Sequence, residues 1–408
     1  MAKRTSKRSK RSRPTKRSKA SKPSLKPKKR DRFAFGIWCV MNRGADPFGV
    51  ATRPEVSGIE AIRGLGERGV YGFEYHDNDL WPIDATGRAK AAAIREVRKA
   101  MKATGIRCTA ATTNLFTHPV FKDGAFTSHD PRVRAYAVQK AMANIDVAAE
   151  LGAEVYIFWG GREGADVDIG KDPVEALKRF RDCLNFLCAY VVDQGYRMVF
   201  SIEPKPNEPR SDTYLATAGH ALALIETLDY PDMVGVNPET AHIKMAGLNP
   251  VHEFAQCLEA GKLVDVHLNG QKPLRYDQDM SFGCDNPKEA LLVVKLLTDY
   301  GYAGTKSFDA HPYRTEADPW DFVDRCMRAY KAYEAKVQQV NADTELIQML
   351  AELQDAPGAT WNDVLTGYTP KGAAKLRNAS FKPDALAKRP LLYERIDQRL
   401  TEILLGLA

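Results

Sequence analysis

No apolar run in the 408 residues approaches the ~18 needed to span a bilayer, so no membrane-spanning helix is expected. The seven cysteines, at 39, 108, 183, 188, 257, 284 and 326, are odd in number and never spaced CxxC. That pattern excludes a disulfide framework and an obvious zinc ribbon. It reads as buried free thiols in a reducing compartment, and hence a cytoplasmic location. The glycine fingerprint of a dinucleotide site is not expected in this chain, which weakens an open dinucleotide-binding sheet. The N-terminus lacks the apolar stretch of a secretory signal and the amphipathic face of a mitochondrial presequence.

Acidic residues are missing altogether from positions 1–30, which hold 15 Lys or Arg. The formal charge of +7 therefore misleads. Beyond position 30, the remaining 44 of the 59 basic residues face all 52 acidic ones, giving an acidic globule with a basic tail. Leu25 is the only large apolar residue of the tail after Met1, so it cannot bury enough surface to offset the entropy of ordering and is expected to be disordered. Contact with nucleic acid through counterion release is open to it. However, no aromatic residue is interleaved for base stacking, so a solubilising or weakly adhering tail is the plainer reading.

From Phe33 the pattern becomes regular. Short apolar runs predict strands at Phe33–Cys39, Tyr71–His76, Arg107–Thr113, Glu154–Trp159, Arg197–Glu203, Met233–Glu239, Lys262–Leu268 and Thr305–Asp309. Helical periodicity separates them, as in Lys90–Ala103, Pro131–Leu151, Pro173–Val192 and Pro287–Tyr300. Asp130-Pro131, Asp172-Pro173 and Asn286-Pro287 pair a capping side chain with a proline at the first helical position. Eight nearly continuous apolar strands alternating with helices predict a parallel sheet covered on both faces, closed as a (β/α)₈ TIM barrel. The barrel is expected over residues 31–336. Residues 337–408 predict a helical extension with too little apolar material for its own core, so it should wrap the barrel or a neighbouring subunit.

Such barrels carry their chemistry at the C-terminal strand ends. Here those ends hold His76 with Asp79, then Trp159, Glu203, Glu239 with His242, His267, and Asp309. Asp277 and Asp279 follow in the seventh loop. Any one of these has a dull alternative, such as Glu203 capping the next segment or Glu239 pairing with Lys244. Six carboxylates and three imidazoles on one rim are another matter, because like charges gather only where cations lie between them. Oxygen-rich ligation with one or two imidazoles suits Mg²⁺, Mn²⁺ or Co²⁺, and Glu239 could bridge two ions, with His242 reaching the second. Lys205, stiffened by Pro204 and Pro206, either aims an ammonium into the pocket or balances Glu208 at the surface. Trp38, Phe116 and Trp159 either wall a sugar-sized cavity or belong to the core.

The strings Thr112-Thr113-Asn114-Leu115-Phe116-Thr117-His118-Pro119, Trp159-Gly160-Gly161-Arg162-Glu163 and Glu203-Pro204-Lys205-Pro206-Asn207-Glu208-Pro209 resemble the xylose isomerase family. So do Asn237-Pro238-Glu239 with His242, Leu268-Asn269-Gly270-Gln271, and Tyr276-Asp277-Gln278-Asp279. The likeness runs in order from about Phe33 to Tyr333, and is nearest the shorter, actinobacterial-type enzymes. It implies a homotetramer converting D-xylose to D-xylulose and commonly D-glucose to D-fructose, with two divalent ions per subunit. Glu203, Glu239, His267 and Asp309 would hold one ion. Glu239, His242, Asp277 and Asp279 would hold the other. His76 with Asp79 would assist ring opening, Lys205 would bind the oxygen at C1, and Asp279 would help move the O2 proton during a hydride shift. Trp38, Thr112, Phe116, Trp159 and Asn237 would line the sugar site, and Phe48 would enter a neighbour's pocket.

Four positions depart from the family pattern. His267 stands where an Asp ligand is usual, Asp265 where a His is common, His311 where a Lys is common, and Asn42 where a second Trp is common. Asp265 lies two residues before His267, on the same side but at another height, so it cannot simply replace the lost carboxylate. An imidazole there favours Mn²⁺ or Co²⁺ over Mg²⁺. Two other readings stay open: a related sugar isomerase or epimerase with a substrate altered by His267, and a barrel scaffold whose basic tail binds nucleic acid.

Overall fold

The computed structural model describes residues 24–354 and 358–408. Residues 1–23 of the basic tail, with the expected disorder and nucleic-acid contact, lie outside them. Regular structure is present on the tail side of the expected boundary at residue 31. Lys29–Asp31 form a 3₁₀ turn because the buried Asp31 accepts from the Lys28 N–H at 2.7 Å and pairs with Lys331 at 3.1 Å.

The strands are β1 Phe33–Gly36, β2 Gly72–His76, β3 Arg107–Thr112, β4 Val155–Trp159, β5 Gly164–Ala165, β6 Val199–Glu203, β7 Asp212–Thr213, β8 Val234–Val236 and β9 Lys306–Phe308. Seven of them form one parallel sheet in the order β8-β6-β4-β3-β2-β1-β9. β5 and β7 form a small antiparallel ribbon that the sequence reading did not foresee. Within β4 the alternation is plain. Tyr156 and Phe158 join the large core under the helices, while Val155 and Ile157 meet Ala110 inside the sheet. Each fully buried Phe of the outer layer, such as Phe73, Phe200 or Phe308, contributes roughly 1.5–3 kcal/mol.

Three expected strands are corrected, one of them the sixth, which stops at Val236 instead of running to Glu239. The first stops at Gly36 and turns into a short helix, Ile37–Met41, instead of running to Cys39. A Cβ at Gly36 would sit 2.2 Å from the Trp38 ring, so only glycine lets that indole fold back across the strand end. The segment expected at Lys262–Leu268 forms no continuous ladder. It is tied into the gap between β8 and β9 by single bridges, Val236↔Leu263, Glu239↔His267 and His267↔Ser307. Pro238, lacking an N–H, interrupts the ladder that β8 would otherwise offer it. Backbone bonds His267 N–H to Pro238 O, and Leu268 N–H to Ser307 O, nevertheless close the circle. The architecture is the (β/α)₈ barrel.

The helix starts behave as read: Asp130 accepts from Arg132 N–H at 2.8 Å, Asp172 from Val174 at 2.9 Å and Asn286 from Glu289 at 3.2 Å. The string Gly64-Leu65-Gly66-Glu67-Arg68-Gly69 has dinucleotide-site spacing, but it ends the helix Gly58–Glu67 ahead of β2. There Gly64 packs on Trp320 and Gly66 on Thr104. The helix Pro319–Ala342 runs straight through residue 336, so the chain first leaves the barrel at Asp343. Beyond it, Leu346, Met349, Leu400 and Ile403 join the core, while much of the rest of the arm is exposed.

Candidate metal and substrate site at the barrel mouth

Because the barrel strands are parallel, their C-terminal ends open on one rim. A cavity of about 340 Å³ lies there, within the range of small-molecule sites. It is lined by Trp38, His76, Asp79, Thr112, Phe116, Trp159, Glu203, Lys205, His242, His267, Asp277, Asp279, Asp309 and His311, among others.

Two clusters of ligand atoms meet at Glu239. Glu203, Glu239, His267 and Asp309 present donor atoms within 4.8 Å of one another, as do Glu239, His242 and Asp277. His267 Nδ1 lies 3.2 Å from Glu203 Oε2, 3.6 Å from Asp309 Oδ2 and 3.9 Å from Glu239 Oε2. His242 Nδ1 lies 3.2 Å from Glu239 Oε2, and its Nε2 lies 3.3 Å from Asp277 Oδ2. Asp279 is placed differently from expectation, grouped with Asp309 and His311 instead of with His242. Its backbone is left-handed (φ 43°), Asn269 donates to its Oδ1 at 2.9 Å, and His311 Nδ1 sits 3.2 Å from its Oδ2. Asp265 is buried and accepts from its neighbour's N–H; it belongs to neither cluster.

The electrostatics are those of like charges crowded together out of water. Burial raises the Glu239 carboxyl well above its usual range, with Asp309, Asp277 and Glu203 adding to the effect against the opposing influence of the nearby His267. Burial and the adjacent Asp277 do the same for Asp279. For Asp277, burial is overcome by His242 and Lys205, and the carboxyl is driven far down. His311 is only half-buried, and Asp279 overcomes its desolvation and lifts it to about 9. Glu239 Oε2, His242 Nδ1, His267 Nδ1 and Asp277 Oδ1 are buried without a hydrogen-bond partner. Four orphaned donor atoms converging on two clusters are costly unless an ion completes them. The residues fit two divalent cations, with imidazole in both shells.

The duller alternatives do not hold. Lys205 is buried and pairs with Asp277 at 2.6 Å, not with Glu208, and its ammonium lies 5.1 Å over the Trp159 ring. Lys244 pairs with Asp285 and Glu289, leaving Glu239 without it. Trp38, His76, Phe116 and Trp159 form one edge-to-face series, with centroids 4.4, 5.7 and 4.5 Å apart in turn. A Cβ at Gly161 would approach the Trp159 ring to 2.5 Å, so this tryptophan, like Trp38, is seated over a glycine. Trp38 Nε1 donates to Asp309 at 2.7 Å. Asp79 accepts from the His76 N–H at 2.7 Å and stands 3.3 Å from its Nδ1, which leaves Nε2 free.

One expected sugar-site residue lies elsewhere: Asn237 is wholly buried behind the cavity and donates to Glu203 at 3.0 Å. Phe48, expected to enter a neighbour's pocket, is 99% exposed on a loop. Two side chains had been given no role. Asn269 binds Glu239 Oε1 at 2.7 Å, Asp279 Oδ1 at 2.9 Å and the Asp309 carbonyl at 2.7 Å, joining three loops. Glu74 lies 2.9 Å from His267 Nε2 inside the barrel. An acid in the middle of the apolar run Gly72–His76 was the available signal.

A family model described as a xylose isomerase-like TIM barrel matches residues 62–330. The chain is 44% identical over 383 residues to a xylose isomerase of Thermus caldophilus, covering 93% of this chain and 98% of that one. It is also 44% identical over 382 residues to a xylose isomerase of Thermus thermophilus, with the same coverage. Among solved structures it resembles an L-ribulose 3-epimerase (TM-score 0.57, 17% identity, 77% of this chain and 99% of that one). It also resembles a 3-keto-D-glucoside 4-epimerase from E. coli (TM-score 0.52, 20% identity, 71% and 97%). Those two show the fold; the closer sequence relatives show more: the chain belongs to the xylose isomerase family of isomerase enzymes.

Proposed function

We propose that this chain is a metal-dependent aldose–ketose isomerase that converts D-xylose to D-xylulose, and D-glucose to D-fructose. The observation that carries the reading is the pair of clusters sharing Glu239, whose other members line a sugar-sized cavity together with Lys205. Glu203, Glu239, His267 and Asp309 would hold one divalent ion, and Glu239, His242 and Asp277 the other. Bound there, the ions would supply electrophilic polarisation of the substrate oxygens. The two imidazoles favour Mn²⁺ or Co²⁺ over Mg²⁺.

The protein's own groups divide the remaining work. His76, steadied by Asp79, presents Nε2 to the cavity to move a proton in ring opening. Lys205 binds the oxygen at C1, and Asp279 assists removal of the O2 proton. Trp38, Phe116 and Trp159 exclude water while hydrogen passes with its electron pair from C2 to C1. O2 loses a proton and O1 gains one, so the sugar's formula is unchanged. Thr112 lines the site directly, whereas Asn237 orients Glu203 from behind. The exposed Phe48 and the exposed apolar side chains of the arm suit a homotetramer in which Phe48 enters a neighbour's pocket. Seven unpaired thiols, five of them buried, suit the cytoplasm. Among the described residues no helix is long and apolar enough to cross a membrane.

The test is xylulose formation that EDTA abolishes and Mn²⁺ or Co²⁺ restores; no turnover of any aldose with metal present would refute the proposal. Because His267 alters the ligand set, product analysis over a panel of aldoses and ketoses distinguishes isomerisation from epimerisation of a related sugar.

A further inference from the structure

Glu74 lies on β2 between Phe73 and Tyr75, which face the outer core, so strand alternation turns it into the barrel. Its side chain is 1% exposed, and both oxygens are used. Oε1 accepts from the hydroxyl of Ser307 on β9, and Oε2 lies 2.9 Å from His267 Nε2. The other nitrogen of that ring, Nδ1, has no hydrogen-bond partner and points among Glu203, Asp309 and Glu239.

We propose that Glu74 is the positioning residue of the first metal cluster: it accepts the Nε2–H of His267 and so fixes the tautomer that turns the Nδ1 lone pair toward the ion. This rests on the metal reading above. A ring with one nitrogen held by a carboxylate cannot turn without losing that bond, and in the neutral ring the bond keeps the proton on Nε2, so that the Nδ1 lone pair is the one a cation would meet. Ser307 in turn fixes the carboxylate, so the order passes from β9 to β2 to the ligand. Glu74 also adds a negative charge beneath the one ligand of this cluster that carries none. It does not touch the cavity, which separates it from the groups that would meet substrate.

The test titrates metal-stripped, full-length protein with Co²⁺, following heat and visible absorption. Wild type is expected to bind two ions. Glu74→Leu should weaken one of them roughly 10–100-fold and leave the other unchanged, with Glu74→Gln, which keeps an acceptor, falling between. Undiminished binding of both ions by Glu74→Leu overturns the proposal. A second comparison guards against misfolding: in a His267→Asp background, Glu74→Gln should no longer weaken either site. An equal loss in both backgrounds would show that Glu74 does not act through the ring, and would also overturn the proposal. Wild-type protein that binds no Co²⁺ would instead sink the metal reading beneath it.

Discussion

The barrel mouth and the C-terminal arm depart from ordinary protein surface in opposite directions. The mouth buries charge: Glu203, Glu239, His242 and His267 are all nearly inaccessible, and three of them carry an orphaned polar atom. The arm exposes grease: Tyr368, Leu386, Tyr393 and Leu407 are each at least 65% exposed, although Leu400 and Ile403 nearby are buried. Each region is unfavourable taken by itself, and the kind of imbalance points to the kind of partner that relieves it. Orphaned anionic oxygens and imidazole nitrogens call for cations, whereas uncovered apolar side chains call for other apolar surface.

Substitutions can break this contrast. Replacing the shared acid, Glu239→Gln, should lower kcat/KM on the order of 10³-fold, since both ions lose a ligand. The same change should raise the melting temperature of the metal-free protein, because it removes a buried like charge from a crowded site. A fall in that temperature would mean the acids are not mutually unfavourable without ions. Next in size is the buried pair Lys140–Asp77, which also holds the Asn114 carbonyl at 3.0 Å beside the mouth. Lys140→Met should cost about 3 kcal/mol in denaturant unfolding, because Asp77 would be left buried and unpaired. Removing the more accessible Arg399 from Asp343 in the arm should cost far less.

In the arm, Tyr368→Glu with Leu386→Glu should lower the assembly state seen by sedimentation while leaving Co²⁺ uptake by the mouth unchanged. Loss of uptake would show that the two regions are not independent. The smallest effect expected is acidic. Arg399 foremost, and then the Leu346 N–H, hold the Asp343 carboxyl below its usual range. A depressed carboxyl stabilises above its unfolded value of ~3.9 and loses that contribution as pH falls through the lower folded value. An Asp343→Asn variant should therefore differ from wild type in melting temperature at neutral pH, and the difference should vanish in strong acid.

The mouth was far more legible than the arm. Strand-end acids separated by apolar runs, Glu239 with His242 three residues on, and Asp277 two residues before Asp279 are local patterns that a parallel barrel must bring to one rim. What escaped was nonlocal. Glu74 meets His267 from 193 positions away, and Asn269 joins three loops with a side chain that looks ordinary in sequence. Asp279 follows the rim pattern but sits in a left-handed backbone that turns it toward His311. Fold errors had local causes: Gly36 and Pro238 end or interrupt strands that hydropathy alone would extend. The arm offers no comparable signal, because the apolar residues that would explain its helices are the ones left uncovered.

Uptake of divalent ions by metal-stripped protein, counted by calorimetry with Mn²⁺, bears most directly on the mouth. Two ions per chain, with binding to both weakened in Glu239→Gln, is the result expected from a shared acid between two clusters. Absence of any uptake by the wild-type chain would contradict it.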